Sequence, residues 1–211
     1  MAVVNGTIFS DNGSTGTGFP LLGTAAADTL NANWSIGSDW MFGGAGNDEY
    51  RVNSTGDVVA EASGNGTDTI VSRIASYTLA TNFENLTLDN TAGFLTALDG
   101  TGNSAGNVIT GNSNDNVLTG LGGTDTIIAG LGDDTLIGGA GKDTMTDGGG
   151  ADVYDFNATS ESAVGANRDI CTDFTHNVDE INLATIDANV TTAGNQAFTF
   201  IGNVAFTGTA G

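Results

Sequence analysis

Residues 102–155 read GNSAGNVIT, GNSNDNVLT, GLGGTDTII, AGLGDDTLI, GGAGKDTMT and DGGGADVYD, which are six consecutive nonapeptides in one register. The sixth position is always Asn or Asp: Asn107, Asn116, Asp125, Asp134, Asp143 and Asp152. The eighth position is always apolar or aromatic: Ile109, Leu118, Ile127, Leu136, Met145 and Tyr154. Six matches at a fixed spacing indicate a repeat architecture, in which each unit buries its apolar residue only by stacking on its neighbours.

The chemistry of the nonapeptide predicts its conformation. Positions one to five are rich in glycine, so the backbone can turn tightly and direct carbonyl groups inward. Positions seven to nine form a very short strand whose apolar residue points into the core. Two nonapeptides then complete one coil, and turns 18 residues apart stack on the same edge. We therefore predict an all-β fold, a right-handed parallel β-roll that resembles a β-helix solenoid, followed by a β-rich C-terminal cap.

The stacked turns bring carboxylates together. One carboxylate from each turn, with backbone carbonyls, can surround a hard cation with oxygen ligands, which suits Ca²⁺ better than Zn²⁺. The alternative is that these residues are solvated turn residues, since Asp and Asn favour turns. The strict register and the accompanying glycines favour ligation. The predicted carboxylate ligands are Asp125, Asp134, Asp143 and Asp152.

The composition supports a multivalent cation as partner. The chain of 211 residues has 25 Asp and Glu against 4 Lys and Arg, a formal net charge of -21. It therefore repels itself unless counter-charge enters the fold, and it offers no basic patch for nucleic acid or an anionic membrane. The 33 glycines beside a single proline indicate ordered tight turns. No apolar run approaches the roughly 20 residues of a transmembrane helix, so no transmembrane segment is predicted.

An earlier and less regular block follows the same pattern. GTAAADTLN, WSIGSDWMF, GGAGNDEYR and SGNGTDTIV place Asp28, Asp39, Asp48 and Asp68 at sixth positions. The spacing from Asp48 to Asp68 is 20 residues instead of 18, which predicts a small bulge. Between the blocks, inward-facing residues are predicted at Leu79, Phe83, Leu86 and Leu88. The predicted divisions are an N-terminal segment (1–22), a first irregular β-roll block (23–101), a regular β-roll (102–156) and a C-terminal cap (157–211).

These residues resemble the RTX (repeats-in-toxin) family, in the form found at the C-termini of serralysin-type metalloproteases and alginate epimerases. GGAGNDEYRVNSTGDVVAEASGNGTDTIVS and SYTLATNFENLTL are similar to the upstream repeats of that family. DFNATSESAVGANRDICTDFTHNVDEINLATIDAN, followed by QAFTFIGNVAFTGTAG, resembles the serralysin C-terminal domain. The resemblance covers roughly residues 23–211 and implies several bound Ca²⁺ ions. It does not imply what a parent protein does.

The resemblance also implies ligand sets. In the family, one turn gives the carbonyls of its second and fourth positions and its Asp, and the turn two repeats later gives its first and third carbonyls and its Asp. The first implied site is Leu121, Gly123 and Asp125 with Gly138, Ala140 and Asp143. The second is Gly130, Gly132 and Asp134 with Asp147, Gly149 and Asp152. A weaker site joins Asn112, Asn114 and Asn116 to Ala129, Leu131 and Asp134, and an upstream site joins Gly44, Gly46 and Asp48 to Ser63, Asn65 and Asp68. Asp147 stands where Gly is usual, and it either adds a ligand or is a neutral surface change.

Catalytic patterns are weak. No H-E-x-x-H zinc-protease motif is present, and the single histidine, His176, is predicted at the surface. Residues 102–106 fit the G-x-S-x-G pattern of hydrolases but fall inside a repeat turn. Cys171 is predicted in a core strand. The aromatic residues Trp34, Trp40 and Phe42 are predicted to cap the end of the roll, with sugar binding as the alternative. We therefore predict a chain that is not an enzyme.

Three classes of function follow from this pattern. The first is a secreted module that stays disordered at low intracellular calcium, passes the type I secretion machinery and folds on binding Ca²⁺ outside the cell or at its surface. It is expected either alone or as the C-terminal part of a larger enzyme. The second is a self-assembling structural subunit of a filament, surface layer or adhesin, in which the roll ends stack as a homo-oligomer. The third, an enzyme in its own right, is disfavoured.

Overall fold

A computed structural model describes residues 3–4, 7–9, 20–32, 38–89, 98–162 and 168–186 of the chain. Within these ranges every regular element is a β-strand, so the all-β prediction is confirmed. The strands of the first half are β1 (Val3–Val4), β2 (Thr7–Phe9), β3 (Leu21–Leu22), β4 (Thr29–Asn31), β5 (Trp40–Phe42), β6 (Glu49–Val52), β7 (Val58–Ala60), β8 (Thr69–Ser72), β9 (Ser76–Thr78) and β10 (Asn85–Leu88). Those of the second half are β11 (Asp99–Thr101), β12 (Val108–Thr110), β13 (Val117–Thr119), β14 (Gly122–Gly123), β15 (Thr126–Leu131), β16 (Thr135–Ile137), β17 (Ala140–Gly141), β18 (Thr144–Gly149), β19 (Val153–Asp155), β20 (Ile170–Cys171) and β21 (Glu180–Asn182).

The strands alternate between two faces of a solenoid. One face is a ten-stranded sheet in the order β1-β2-β4-β6-β8-β10-β12-β15-β18-β20. The other consists of a three-stranded sheet, β3-β5-β7, and a six-stranded sheet, β9-β11-β13-β16-β19-β21. All pairings are parallel except β1 with β2. Successive strands of the roll therefore belong to opposite faces, and the chain changes face at the turn of each repeat.

The register gives the length of each coil. In the regular block, Ile109 pairs with Ile127 and Ile127 with Met145, both 18 residues apart, which confirms the predicted two-repeat coil. Upstream, Glu49 pairs with Thr69, which confirms the 20-residue coil expected there. The coils thus vary in length at their turns while the strands keep their stacking.

The core is a narrow double column of side chains. Every eighth-position residue of the six repeats is at most 1% exposed: Ile109, Leu118, Ile127, Leu136, Met145 and Tyr154. The inward residues predicted between the blocks are buried as well: Leu79, Phe83, Leu86 and Leu88. In the regular block each strand buries little more than one large side chain, so hydrophobic burial alone provides limited stability there.

The glycine-rich turns use left-handed backbone at their second and fourth positions. In three consecutive turns these positions have φ between +90° and +158°: Gly130, Gly132, Gly139, Gly141, Gly148 and Gly150. Leu121 takes the same region at +75°, where side chains are disfavoured. This alternation sets the direction of the turn carbonyls and explains the periodic demand for glycine.

Other predicted features lie at the surface or outside the described ranges. His176 and Trp40 are exposed, the latter by 57%. Cys171 lies in strand β20 as predicted, where it is half-buried and packs against the core. Trp34 and residues 187–211, which include the whole QAFTFIGNVAFTGTAG segment of the predicted cap, fall outside the described residues. Within the described part of the chain, no helix is long and apolar enough to cross a bilayer.

Candidate metal centre

The sixth-position side chains form two columns, one along each edge of the roll. The first column contains Asn107, Asp125, Asp143 and Asp169, and the second contains Asn116, Asp134, Asp152 and Asp179. Each backbone N–H of a column donates to Oδ1 of the Asp in the next coil, at 2.7 Å from Asn107 to Asp125 and 2.8 Å from Asp125 to Asp143. One carboxylate oxygen of each Asp is thus committed to holding adjacent coils together.

The second carboxylate oxygen of several of these residues has no partner. Oδ2 is buried without a hydrogen-bond donor among the described residues in Asp48, Asp125, Asp134, Asp143 and Asp169. The first four of these residues are at most 2% exposed. A buried, ionised oxygen without a donor is costly, because the desolvation penalty is not repaid. Oxygens of this kind fit a hard cation such as Ca²⁺, which prefers carboxylate and carbonyl ligands.

The geometry explains why the first position of a repeat is small. A β-carbon at Gly120 would lie 2.4 Å from Oδ2 of Asp125, and one at Gly138 would lie 2.7 Å from Oδ2 of Asp143. These distances are well inside van der Waals contact. Glycine at the first position therefore leaves room for the unpartnered carboxylate oxygen of the same repeat.

The turn carbonyls predicted as ligands face the next coil. The Leu121 carbonyl accepts the Ala140 N–H at 2.9 Å, and a β-carbon at Gly141 would lie 1.6 Å from the carbonyl oxygen of Gly123. The carbonyls of Gly130 and Gly132 lie in the same way beneath the turn at 147–152. The structure therefore brings the second- and fourth-position carbonyls of one turn against the turn one coil later, and their ligation of Ca²⁺ remains a prediction.

Burial disfavours the ionised form of these carboxylates in the metal-free fold. It raises the pKa of Asp125 to about 6, with a further increase from the negative charge of Asp143. It likewise raises the pKa of Asp134 to about 6, with Asp152 adding to the effect. The pKa values of Asp48 and Asp143 are raised for the same reason. The turns therefore hold negative charge at neutral pH only at a cost in free energy.

Protein cations do not neutralise this charge. Among the described residues, the ion pairs are Arg51 with Glu49 and Arg73 with Asp89, both upstream of the regular repeats. Lys142 is exposed on its turn. The columns therefore have the features of a cation site: aligned oxygens, burial and no internal counter-charge.

Comparison with known proteins places this geometry in a family. A family model described as "Peptidase M10 serralysin C terminal" matches residues 23–211. The chain belongs to the serralysin C-terminal family. This confirms the resemblance and supports a calcium-binding repeat fold, since the family is built from such repeats.

Two curated relatives of this serralysin C-terminal chain come from Rhizobium meliloti (strain 1021). Endo-1,3-1,4-beta-glycanase ExsH is 42% identical over 96 residues, and Endo-1,3-1,4-beta-glycanase EglC is 41% identical over 96 residues. Each match covers 46% of this chain and 19% of the relative. The chain thus matches about a fifth of the length of each relative.

The serralysin-like columns differ at their Asn positions. The side-chain amide of Asn116 donates to the Leu98 carbonyl at 2.7 Å, and its Oδ1 accepts the Asn112 N–H at 2.9 Å. Asn107 is bonded in a similar way, to the Phe83 carbonyl and the Asn103 N–H. Both side-chain amides therefore have hydrogen-bond partners within the fold, and neither presents an unpartnered oxygen. Calcium ligation by Asn112, Asn114 and Asn116 remains a prediction.

The upstream turns divide into two kinds. Asp28 and Asp57 use their second oxygen for N–H groups of their own turns, those of Thr24 and of Asn53 and Ser54. Asp48 leaves Oδ2 unpartnered, while its N–H donates to Oδ1 of Asp68 at 2.8 Å. Only the second kind matches the regular columns.

Glu61 adds an acidic group at this upstream turn. Its carboxylate accepts the N–H groups of Gly43 and Gly44 and contacts the Tyr50 hydroxyl. The side-chain amide of Asn65 donates to the Gly44 carbonyl at 2.5 Å. The turns at 43–48 and 63–68 therefore contact each other, and calcium ligation by Gly44, Gly46 and Asp48 remains a prediction.

The repeat spacing in the sequence did not identify two members of the columns, Asp169 and Asp179. Oδ1 of Asp169 accepts the Asp143 N–H at 2.9 Å, and Oδ1 of Asp179 accepts the Asp152 N–H at 3.2 Å. Both lie outside the nine-residue spacing, because the last coil is 26 or 27 residues long. The signal was available locally, since each Asp directly precedes a short strand, Ile170–Cys171 or Glu180–Asn182.

Proposed function

We propose that this chain is a non-catalytic calcium-binding β-roll that folds on binding Ca²⁺ outside the cell, after export by the type I secretion machinery. The observation that carries the proposal is the set of buried, unpartnered Oδ2 atoms in the two aspartate columns. Ca²⁺ would be held by Asp125 and Asp143 with the turn carbonyls of Leu121 and Gly123. It would also be held by the corresponding groups around Asp134 and Asp152, and by those around Asp48 and Asp68.

The energetic argument explains why folding would depend on the ion. A pKa raised from 3.8 to about 6 costs about 3 kcal/mol at neutral pH, both for Asp125 and for Asp134. Small domains are stable by only about 5–15 kcal/mol, so a few such carboxylates cancel much of the stability. The glycine-rich turns add a large entropy cost on ordering. A bound cation removes the electrostatic part of this cost and stabilises the folded state by mass action.

The proposed location follows from the calcium supply. Extracellular calcium modules bind at about 10⁻⁴–10⁻³ M, and a site at ten times its dissociation constant contributes about 1.4 kcal/mol. Several coupled sites would make folding steep in this range. Cytosolic calcium is far lower, so the chain would stay unfolded until exported.

Both curated relatives are named as glycanases, which raises the question of what the region shared with this chain does in them. The matched region is less than half of this chain and a fifth of each relative. We propose that the shared region is the calcium-dependent repeat portion, and that any glycan-directed activity belongs to other parts of those proteins.

The deciding experiment is a calcium titration of the full chain from an EGTA-treated sample, followed by circular dichroism and light scattering. We expect a cooperative gain of β signal below about 10 mM Ca²⁺, with Mg²⁺ ineffective at the same concentration. A chain already fully folded in EGTA would contradict calcium-coupled folding. A calcium-dependent rise in scattering would instead point to the self-assembling alternative.

A further inference from the structure

Asp147 occupies a position that is otherwise reserved for small residues. The first positions of the preceding five repeats are Gly102, Gly111, Gly120, Ala129 and Gly138, and all are buried. Asp147 is only 1% exposed, so the alternative of a neutral surface change does not hold. Carboxylates are rarely buried without a partner, so this replacement needs a physical reason.

The repeat geometry directs the Asp147 side chain at another carboxylate. A β-carbon at the first position points at Oδ2 of the sixth-position residue in the same repeat, as seen at Gly120 and Gly138. In the last repeat that sixth residue is Asp152. Asp147, Asp152 and Asp179 each offer a carboxylate oxygen within 4.8 Å of the other two. In the described part of the chain, no other three acidic side chains bring their oxygens this close together.

A second observation separates this cluster from an ordinary acidic patch. Oδ2 of Asp147 is buried and has no hydrogen-bond partner in the described part of the chain. Its Oδ1 accepts the N–H of the neighbouring Gly148 at 2.7 Å. The buried hydroxyl of Tyr154 lies beside this carboxylate but has no hydrogen bond of regular geometry among the described residues. The cluster thus contains buried polar atoms that the fold itself leaves unsatisfied.

No protein cation is available to compensate. The sequence contains no Lys or Arg after Arg168, and both Lys142 and Arg168 are exposed. Asp173 increases the negative charge, since its Oδ1 accepts the Asp147 N–H at 3.0 Å. Carboxylates whose oxygens lie within 4.8 Å of one another do not all stay ionised without a counter-ion.

We propose that Asp147, Asp152 and Asp179 form an additional divalent-cation site held by side-chain carboxylates, at the junction between the last regular repeat and the segment at 168–186. An all-oxygen, triply charged site selects a hard cation, and Ca²⁺ is the expected ion. The site differs from the implied inter-turn sites because it uses the side chains of Asp147 and Asp179. It shares Asp152 with the second of those sites, to which Asp147 would contribute only its backbone carbonyl. Because Asp179 lies 27 residues beyond Asp152, the ion would tie the last coil to the roll.

The test compares calcium stoichiometry in the full chain and in variants, by equilibrium dialysis. Asp147→Gly restores the residue found at the first position of most other repeats, and Asp147→Asn keeps the size of the side chain in case the Gly variant folds poorly. Glu180→Gln is the matched control, because it removes one charge from an exposed side chain beside Asp179. We expect both Asp147 variants to bind one Ca²⁺ fewer per chain, while Glu180→Gln binds as many as the wild type.

Terbium luminescence provides a local readout. Tb³⁺ bound in this cluster is expected to be sensitised by Tyr154, so Tyr154→Phe should lose that emission while its calcium stoichiometry stays unchanged. If Asp147 serves only as a polar neighbour of the Tyr154 hydroxyl, both Asp147 variants will bind as many Ca²⁺ ions as the wild type, and the proposal is overturned. That result leaves the calcium-folding function intact. A wild-type chain that binds no Ca²⁺ at millimolar concentration would overturn both.

Discussion

Replacing Asp125 by Asn tests the two roles of a column carboxylate separately. Asn keeps the Oδ1 that accepts the Asn107 N–H at 2.7 Å and replaces only the unpartnered Oδ2 by an amide nitrogen. Asn116 shows that such an amide can be accommodated in a column, since it donates to a backbone carbonyl of the preceding coil. The substitution therefore preserves the hydrogen bond of the metal-free fold but removes the oxygen that would bind Ca²⁺.

The expected effects have opposite signs. The metal-free fold is relieved of the cost of ionising Asp125, which is about 3 kcal/mol for a pKa raised from 3.8 to about 6. The calcium-bound fold loses one charged ligand, and a loss of about 1.4 kcal/mol or more in binding raises the calcium midpoint at least tenfold. Asp125→Asn should therefore show more β signal than the wild type in EGTA and need more Ca²⁺ to complete folding.

The assay is circular dichroism over a calcium titration, with Asp115→Asn as the control. Asp115 is exposed and its Oδ1 accepts the Asp133 N–H, so the control removes the same charge from a turn without a buried orphan oxygen. It should follow the wild-type titration closely. An Asp125→Asn chain that has less β signal in EGTA and an unchanged calcium midpoint would refute the reasoning, because Asp125 would then act only as a structural hydrogen-bond acceptor.

Three further outcomes follow from the same geometry. Gly123→Ala should destabilise the calcium-bound fold by about 1–3 kcal/mol in urea unfolding, because φ is +123° and the new β-carbon would lie 2.5 Å from the Ala105 carbonyl. The control Gly122→Ala, whose β-carbon would have its nearest atom at 3.6 Å, should change stability by under about 1 kcal/mol. Equal losses of stability in the two variants would contradict this reasoning. In EGTA, Asp125 and Asp134 have a pKa of about 6 in the folded chain and about 4 in the unfolded chain. The folded state therefore binds more protons between these values and becomes more stable as the pH falls, so the β signal should rise from pH 7 to pH 4. A lower β signal at pH 4 would be inconsistent with buried carboxylates. Asn116→Asp should lower β signal in EGTA and steepen the calcium titration, and an unchanged titration would show that this turn cannot bind the ion.

Much of the fold could be predicted from the repeat alone. Nine-residue periodicity fixes the strand positions and the 18-residue coil, and the eighth-position residues become the core because only they are apolar in every unit. The same reasoning located the sixth-position carboxylates at the turns. It failed at Asp169 and Asp179, because the last coil is longer than two repeats and strand pairing, not spacing, brings them into the columns.

The candidate site was predictable in its residue types but not in the state of individual atoms. Asn116 and Asp134 occupy equivalent sequence positions in one column, yet the amide of Asn116 is satisfied by the Leu98 carbonyl, while Oδ2 of Asp134 is left without a partner. Sequence spacing could not distinguish these outcomes, since they depend on which donors and acceptors the neighbouring coil presents.

The sequence by itself determined the solenoid, its two-repeat coil, its acidic edges and its need for counter-charge, because these follow from periodicity and composition. Only the tertiary structure decided which carboxylate oxygens hold coils together and which are left for an ion. It also decided that Asp147 is buried against Asp152 and Asp179. The physical reason is that hydrogen-bond satisfaction and burial are properties of atoms from different coils, and their mutual positions are set when the coils stack.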